Sequence, residues 1–285
     1  MKQVIKTTMM ATIAMCVCMV TTTAQDNADP KVWAWDFPQG LEIQAEAGQE
    51  ALTCQMHYFE HVKDGEGLLK KTMMWYDTTI AEPGREKTTI NDYGDAIEVP
   101  NALIIPLDKN GKAKKGDILL THDRYHLMMR AIVVDDSNPT EPVVCFLDDR
   151  WPDNPESADI AEKQKGEQLK AGSFNVLKKG TFMPGAQVAF GTGTNKKFGR
   201  ILQVSGDKLL VSVFADRIEC VTKDECQLLP LNQKFKVGDK VRCVSSDEYE
   251  PDFKVVKVDL EHGHVWVQYE GSKYTHCYGL FNVMK

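Results

Sequence analysis

Hydrophobic positions along this chain alternate in short bursts. His264-Val-Trp-Val-Gln-Tyr269 places Val265, Val267 and Tyr269 on one face of a strand and Trp266 on the other. Phe253–Asp259, just upstream, reads as a strand of mixed alternation. The Glu261-His-Gly263 link between the two reads as a hairpin turn in which Gly263 supplies a positive φ. Val241 and Cys243, after the Gly238-Asp239 turn, mark an earlier strand. Lys273–Tyr278 and Phe281–Val283 supply two short ones at the end. Five short strands in about fifty residues, separated by turn residues, predict a small β-barrel.

The same plan recurs upstream, and a repeat of this kind decides the fold class. Met183-Pro-Gly185-Ala-Gln-Val188 matches Lys236-Val-Gly238-Asp-Lys-Val241. Phe198–Val204 matches Phe253–Val258, and Leu209–Phe214 matches His264–Tyr269. One unit further back, Lys115-Gly116-Asp-Ile-Leu119 opens, and Met129–Val134 and Pro142–Phe146 follow. Gly172-Ser-Phe-Asn-Val176 then closes as Gly279-Leu-Phe-Asn-Val283 does. This unit carries a polar insertion, Asp148–Leu169, whose Ser157–Leu169 part suits a short helix. A degenerate first unit is traced through Gly48, Lys71–Ile80, Lys87–Asn91 and Asn101–Pro106. The expected architecture is mostly β: tandem five-stranded barrels over 109–179, 180–231 and 232–285, with a degenerate fourth over 41–108. Barrels this small bury little surface alone, so neighbours are expected to pack on one another.

Gly238-Asp239-x-Val241, a polar loop, Phe253 opening a strand, the turn Gly263 and Val265-x-Val267-x-Tyr269 together resemble Tudor and related SH3-like barrels. The resemblance covers roughly 112–285. It implies aromatic side chains near the loops that cage a methylated lysine or arginine. Phe253 falls at the aromatic of the second strand, Tyr269 at the aromatic ending the third, and Tyr249 in the loop where a cage wall sits. In place of the family's aromatic-Gly-Asn turn the chain has Glu270-Gly271-Ser272. Bacterial SH3-like modules that bind cell-wall material or peptides are an equal analogy. The ligand contacts expected on this basis are Tyr249, Phe253, Trp266, Tyr269 and Tyr274 in the last unit, with Tyr125 and Trp151 in the second. Acidic loop residues are expected beside them.

The chain start refines the setting. Residues 1–24 read as a signal peptide of bacterial style. Lys2 and Lys6 are its basic region, Thr8–Val20 its apolar stretch, and Thr22-Thr-Ala24 its cleavage site. Met15 and Val17 precede Cys16 and Cys18 and are too large for a lipid-attachment signal. Export to the periplasm or exterior is therefore expected, and no further stretch is apolar enough to span a bilayer. Residues 25–40 form an aromatic leader with Trp33, Trp35 and Phe37. It is read as an arm packing on the first unit or as a stacking platform for sugar or peptide. The net charge of −7 argues against nucleic acid, which rewards a basic stripe.

Enzyme chemistry has one short motif in its favour. His57-Tyr-Phe-Glu60-His61 fits the His-x-x-Glu-His pattern of inverted zinc peptidases, in which a helix presents both histidines to the metal. Asp64-Gly65 and Gly67 break a helix directly after it. His262-Gly-His264 with His276 is a candidate metal set, and Asp148, Asp149, Asp153 and Asp159 are candidate calcium ligands without the spacing of a known loop. Cys145 and Cys277 are candidate nucleophiles, though His276 points away from Cys277 on a strand. Among the cysteines, Cys243 with Cys277, and Cys220 with Cys226, are the candidate disulfides of an exported chain. No phosphate loop or serine elbow stands out, and no cofactor is called for. The reading is a non-catalytic binding protein for a peptide, cell-wall or glycan ligand. The alternatives are a zinc hydrolase using His57, Glu60 and His61, or a structural envelope protein.

Overall fold

The computed structural model describes residues 41–54, 60–61, 69–71, 75–192, 196–213, 217–231, 233–245 and 248–285, with backbone alone at 60–61, 69–71, 217, 244–245 and 248–251. The first barrel comprises β1 (Glu50–Thr53), a two-stranded excursion of β2 (Glu60–His61) and β3 (Leu69–Lys71), then β4 (Tyr76–Glu82), β5 (Lys87–Asp92), β6 (Asp95–Pro100) and β7 (Ile104–Pro106). The second holds β8 (Ile118–His122), β9 (Met128–Asp135), β10 (Val143–Phe146), the helix α1 (Asp159–Lys163), β11 (Glu167–Gln168) and β12 (Asn175–Val176). The third is β13 (Gln187–Phe190), β14 (Lys197–Ser205), β15 (Lys208–Val213), β16 (Arg217–Thr222) and β17 (Cys226–Leu228). The fourth is β18 (Lys240–Ser245), β19 (Glu248–Asp259), β20 (His264–Tyr269), β21 (Thr275–Gly279) and β22 (Val283–Met284).

All four sheets are antiparallel and share one order: fourth, third, second, first, fifth strand. The tandem SH3-like architecture expected from the repeats is thus formed, the degenerate first unit included. The Ser157–Leu169 stretch is partly helical, as α1. It also holds β11, the fourth strand of the second barrel, which the polar composition of the insertion had hidden.

One device opens every barrel. Gly48, Gly116, Gly185 and Gly238 have φ of 79°, 87°, 90° and 93°, a region that only glycine enters freely. Each glycine N–H donates to a second-strand carbonyl, that of Ile80, Val133, Ile201 or Val255, at 2.8 Å. Each of those residues donates back to the residue after the glycine at 2.9 Å. One residue further on, every second strand bulges, at Ala81, Val134, Leu202 and Val256, where the pairing register skips. A bulge bends a strand and increases its twist, which lets a five-stranded sheet curl.

Alternation then sends side chains into two different cores. Leu119, Ala131, Val133, Val144 and Phe146 fill the second barrel. Their neighbours Ile118, Leu120, Ile132, Cys145 and Leu147 point the other way, into a cluster shared among barrels. In the third barrel Ile201, Leu209 and Val211 point inward, and Leu202 and Leu210 outward. In the fourth, Val265 and Val267 point inward and Trp266 outward. The first barrel's Leu52, Ile80, Ile90 and Ile105 belong to the shared cluster too.

A buried polar group sits within this junction. The Arg130 guanidinium grips the Asp148 carboxylate through Nε and Nη2, the latter at 2.5 Å, and its Nη1 donates to Gln187 Oε1 at 2.6 Å. Arg200 of the third barrel donates to the same carboxylate at 3.3 Å, and the Arg130 guanidinium lies 4.3 Å from the Phe281 ring centre in the fourth. Burial alone raises the Asp148 pKa, but Arg130 and Arg200 overcome this and hold it at about 2.

The polar insertion is a strap across the fourth barrel. Trp266 Nε1 donates to the Pro152 carbonyl at 2.9 Å, Thr275 Oγ1 to the Asp153 carbonyl at 2.7 Å, and Gln164 Nε2 to Asp259 Oδ2 at 2.7 Å. Where the strap begins, the Leu147 carbonyl presses on Gly279. A Cβ at Gly279 would lie 1.8 Å from that oxygen, although its φ of −67° is open to any residue.

Gly279→Ala is therefore expected to cost about 1–3 kcal/mol through forced separation of backbones, measured by urea unfolding. Asp148→Ala should cost more, about 3–5 kcal/mol, because it leaves the Arg130 charge buried without its partner. An Asp148→Ala protein with unchanged midpoint would show that this ion pair does not hold the barrels together.

Candidate ligand-binding groove on the last barrel

The fourth barrel ends the chain with a groove of about 630 Å³ between the Gly238 turn, β18, β19 and the β20–β21 turn. Phe253 and Tyr269, cross-strand partners, form its aromatic part. Their rings meet edge to face at 5.3 Å and 74°, a favoured aromatic geometry. Phe253 is buried and Tyr269 is 45% exposed, so one ring supports the other and the outer one meets solvent. Asp252, at φ 70°, accepts the Glu270 N–H at 3.0 Å and so fixes the β20–β21 turn against β19.

The rim is basic, contrary to the acidic loop expected. Lys240, Arg242, Lys254 and Lys285 line the groove, against Asp252 and Glu270. Lys285 also pairs with Asp239 at 2.7 Å. These cations were not singled out in the sequence, yet a signal was present. Lys240 and Arg242 alternate with Val241 and Cys243 along β18, so charge occupies the outward face while the barrel core takes the other.

The other expected contacts are scattered. Tyr274 is 66% exposed beside the groove turn, with Lys273 Nζ 5.3 Å from its ring centre, but it is not in the lining. Tyr125 is equally exposed on the β8–β9 hairpin of the second barrel, under the Arg124 guanidinium at 4.9 Å. The side chain of Tyr249 lies outside the described residues; its backbone pairs with Val244 in the β18–β19 hairpin. Trp151 and Trp266 are buried and meet at 6.2 Å and 65° where the strap crosses the fourth barrel. Trp266 alternates as expected, but the face it occupies is covered by the strap rather than open to a ligand.

No protein-family model and no curated protein matches the chain. Among solved structures it is similar to the crystal structure of Arabidopsis thaliana AGDP1 AGD34, at 18% identity over 36% of this chain and 81% of that one, with a TM-score of 0.22. At that identity and score, the strand order of the four sheets carries the fold class.

The chemistry candidates fare unevenly. His57 lies outside the described residues, and Glu60–His61 form strand β2, paired with β3, where the peptidase pattern needs a helix. Three of the four insertion aspartates serve separate partners. Asp148 meets two arginines, Asp149 meets Lys163, and Asp153 accepts the Cys277 N–H. Cys243 sits inside the fourth barrel and Cys277 packs on the shared cluster, so the two do not face each other; Cys226 and Cys220 divide the same way. Burial pushes the Cys145 thiol up to about 12 and raises Cys277 further still, so neither is an activated thiolate.

His264 is fully buried, its ring stacked on Trp151 at 4.0 Å, with Nδ1 2.9 Å from the His262 carbonyl. Burial is the largest influence on it and pulls its pKa down to about 4, against the partial opposition of the His262 and Asp149 carbonyls. The unfolded chain, with a histidine near 6.5, takes up the proton first as pH falls. Stability should therefore drop between pH 6.5 and about 4, by up to about 3 kcal/mol for this one group. The difference in unfolding free energy between the wild type and His264→Leu, measured across this range, isolates it. A difference that stays constant with pH would show that His264 carries no such linkage.

Proposed function

We propose that the chain is a non-catalytic binding protein whose last barrel holds an anionic, extended ligand of the acidic-peptide or cell-wall-peptide class. The observation that carries this reading is the pairing of one exposed tyrosine, backed by Phe253, with Lys240, Arg242 and Lys254 along the same groove. An aromatic edge offers area at small entropic cost, and the cations select carboxylates and steer them. A methyl-lysine ligand fits this rim poorly, since a cation would approach like charges. An exported location, expected from the first 24 residues, would bring carboxylate-rich cell-wall peptides within reach.

The test is titration of the isotopically labelled chain with three probes: a muropeptide with free carboxylates, an oligoglutamate peptide and a trimethyl-lysine peptide. An anionic probe should shift the amides of Lys254, Gln268, Tyr269 and Gly271, and binding should weaken as salt rises. Tyr269→Ala should raise the Kd about tenfold, equivalent to about 1.4 kcal/mol. Lys254→Glu should weaken binding and flatten its salt dependence. Preference for the trimethyl-lysine peptide, or binding indifferent to both substitutions, would sink this reading.

A further inference from the structure

A second cluster of functional side chains lies where the first barrel meets the second. The β8–β9 hairpin carries His122 and His126, and β4 carries Asp77. Backbone bonds lock the two elements together. Asp77 N donates to the His126 carbonyl at 3.0 Å, and Met128 N donates to the Trp75 carbonyl at 2.8 Å. Asp123 shapes the hairpin, its Oδ1 accepting the Tyr125 and Leu127 N–H groups, both at 2.9 Å. His126 is held at φ 70°, a left-handed conformation uncommon for any residue but glycine. Glu50 on β1 stands diagonal to Asp77 on the same face of the β1–β4 pair, since Glu50 opposes Thr79 and Leu52 opposes Asp77.

Ligand atoms from Asp77, His122 and His126 all lie within 4.8 Å of one another. His126 Nδ1 is 2.9 Å from Asp77 Oδ1; His122 Nε2 is 3.9 Å from Asp77 Oδ2 and 3.6 Å from Glu50 Oε2. Three of these atoms, Glu50 Oε2, Asp77 Oδ1 and His122 Nε2, are buried with no hydrogen bond, the 2.9 Å approach to Asp77 being misaligned for one. Buried polar atoms left in this way are costly. The other ring nitrogen of His122 faces the Asp123 carbonyl at 3.1 Å. Donation there leaves the Nε2 lone pair aimed at two carboxylates, an arrangement that calls for a cation between them.

Distance separates the two cations that would serve. A proton on Nε2 would draw an oxygen to about 2.7–3.2 Å, whereas the gaps here are 3.6 and 3.9 Å. Two ligands each about 2.0–2.1 Å from one tetrahedral ion stand roughly 3.3 Å apart, between the 2.9 Å of His126 to Asp77 and the 3.6 and 3.9 Å of His122 to its two carboxylates. The Asp123 carbonyl also supplies the outer partner that metal-bound imidazoles normally have.

We propose that His122, His126 and Asp77, with Glu50 as the fourth ligand, bind a divalent transition-metal ion of the zinc class at the junction of the first two barrels. Two ligands come from each barrel, so the ion ties one barrel to the other. His126 is 66% exposed at its side chain, which leaves the site reachable from solvent. The His-x-x-x-His spacing is visible in the sequence, but its carboxylate partners come from the preceding barrel and carry no local signature.

The test uses the purified chain, stripped with chelator and titrated with zinc by calorimetry, with metal content and thermal midpoint as further readouts. One equivalent should bind and raise the midpoint. His126→Ala, at an exposed position, and Asp77→Asn should each weaken zinc binding at least tenfold and remove the rise, while His61→Ala and His276→Ala leave both intact. Substoichiometric zinc, affinity unchanged in His126→Ala, or loss in His61→Ala instead would overturn the assignment.

Discussion

A short strand that must bury both of its faces governs this molecule. Each barrel is too small to be held by its interior alone, because a domain of this size leaves much of its surface in water. The chain responds by making the outer faces apolar as well. Ile118, Leu120, Ile132 and Leu147 of the second barrel, Leu202 and Leu210 of the third and Trp266 of the fourth enter one cluster with the first barrel's own core. The barrels are therefore repeats in sequence but one packed body in energy. A change on an outer face is felt in two barrels at once.

Apolar faces specify contact without specifying partners, and the polar junction supplies the choice. Arg130 reaches Asp148 in its own barrel, Gln187 in the next and the Phe281 ring in the last. A buried ion pair is weak evidence for stability in itself, since desolvation offsets much of the attraction. Its geometry is demanding, however, and a sheet displaced by one residue would strand the guanidinium. The strap works in the same sense. The Trp266 indole, the Thr275 hydroxyl and the Cys277 amide each find one strap oxygen, so the fourth barrel docks in a single register.

The architecture was legible because its devices are local. A glycine of positive φ opens every barrel, and strand alternation follows within a few residues, so Gly48, Gly116, Gly185 and Gly238 announce four barrels. Even the degenerate unit keeps this glycine. What escaped was the side of the strand that matters. The period of two separates Trp266 from Val265 and Val267, but nothing in the sequence says that Pro152 and Asp153, more than a hundred residues earlier, lie over the tryptophan. The same holds for Trp151, read as a surface contact and found stacked on His264. The groove was half legible: Phe253 and Tyr269 came from the aromatic pattern, while the cations of its rim required knowing which way β18 faces.

That direction also explains why the groove belongs to the last barrel. Counting from the opening glycine, the third residue points inward in every barrel: Ala51, Leu119, Val188 and Val241 are all buried. The second and fourth residues point outward, and their chemistry differs. In the second barrel they are Ile118 and Leu120, which join the shared cluster, and in the third Gln187 and Ala189, buried at the junction. The third barrel's opening glycine itself lies against Leu120 and Leu177 of the second, where an added Cβ would meet each at 3.0 Å, a tight contact. In the fourth barrel the same two positions are Lys240 and Arg242, both exposed, and an added Cβ at Gly238 would meet no atom closer than 4.0 Å. One fold thus serves two ends by the polarity of two side chains on its first strand. Residues that pack or pair there, as in the second and third barrels, turn the face into structure, and exposed cations there keep it in solvent, beside Tyr269, where a ligand can reach it.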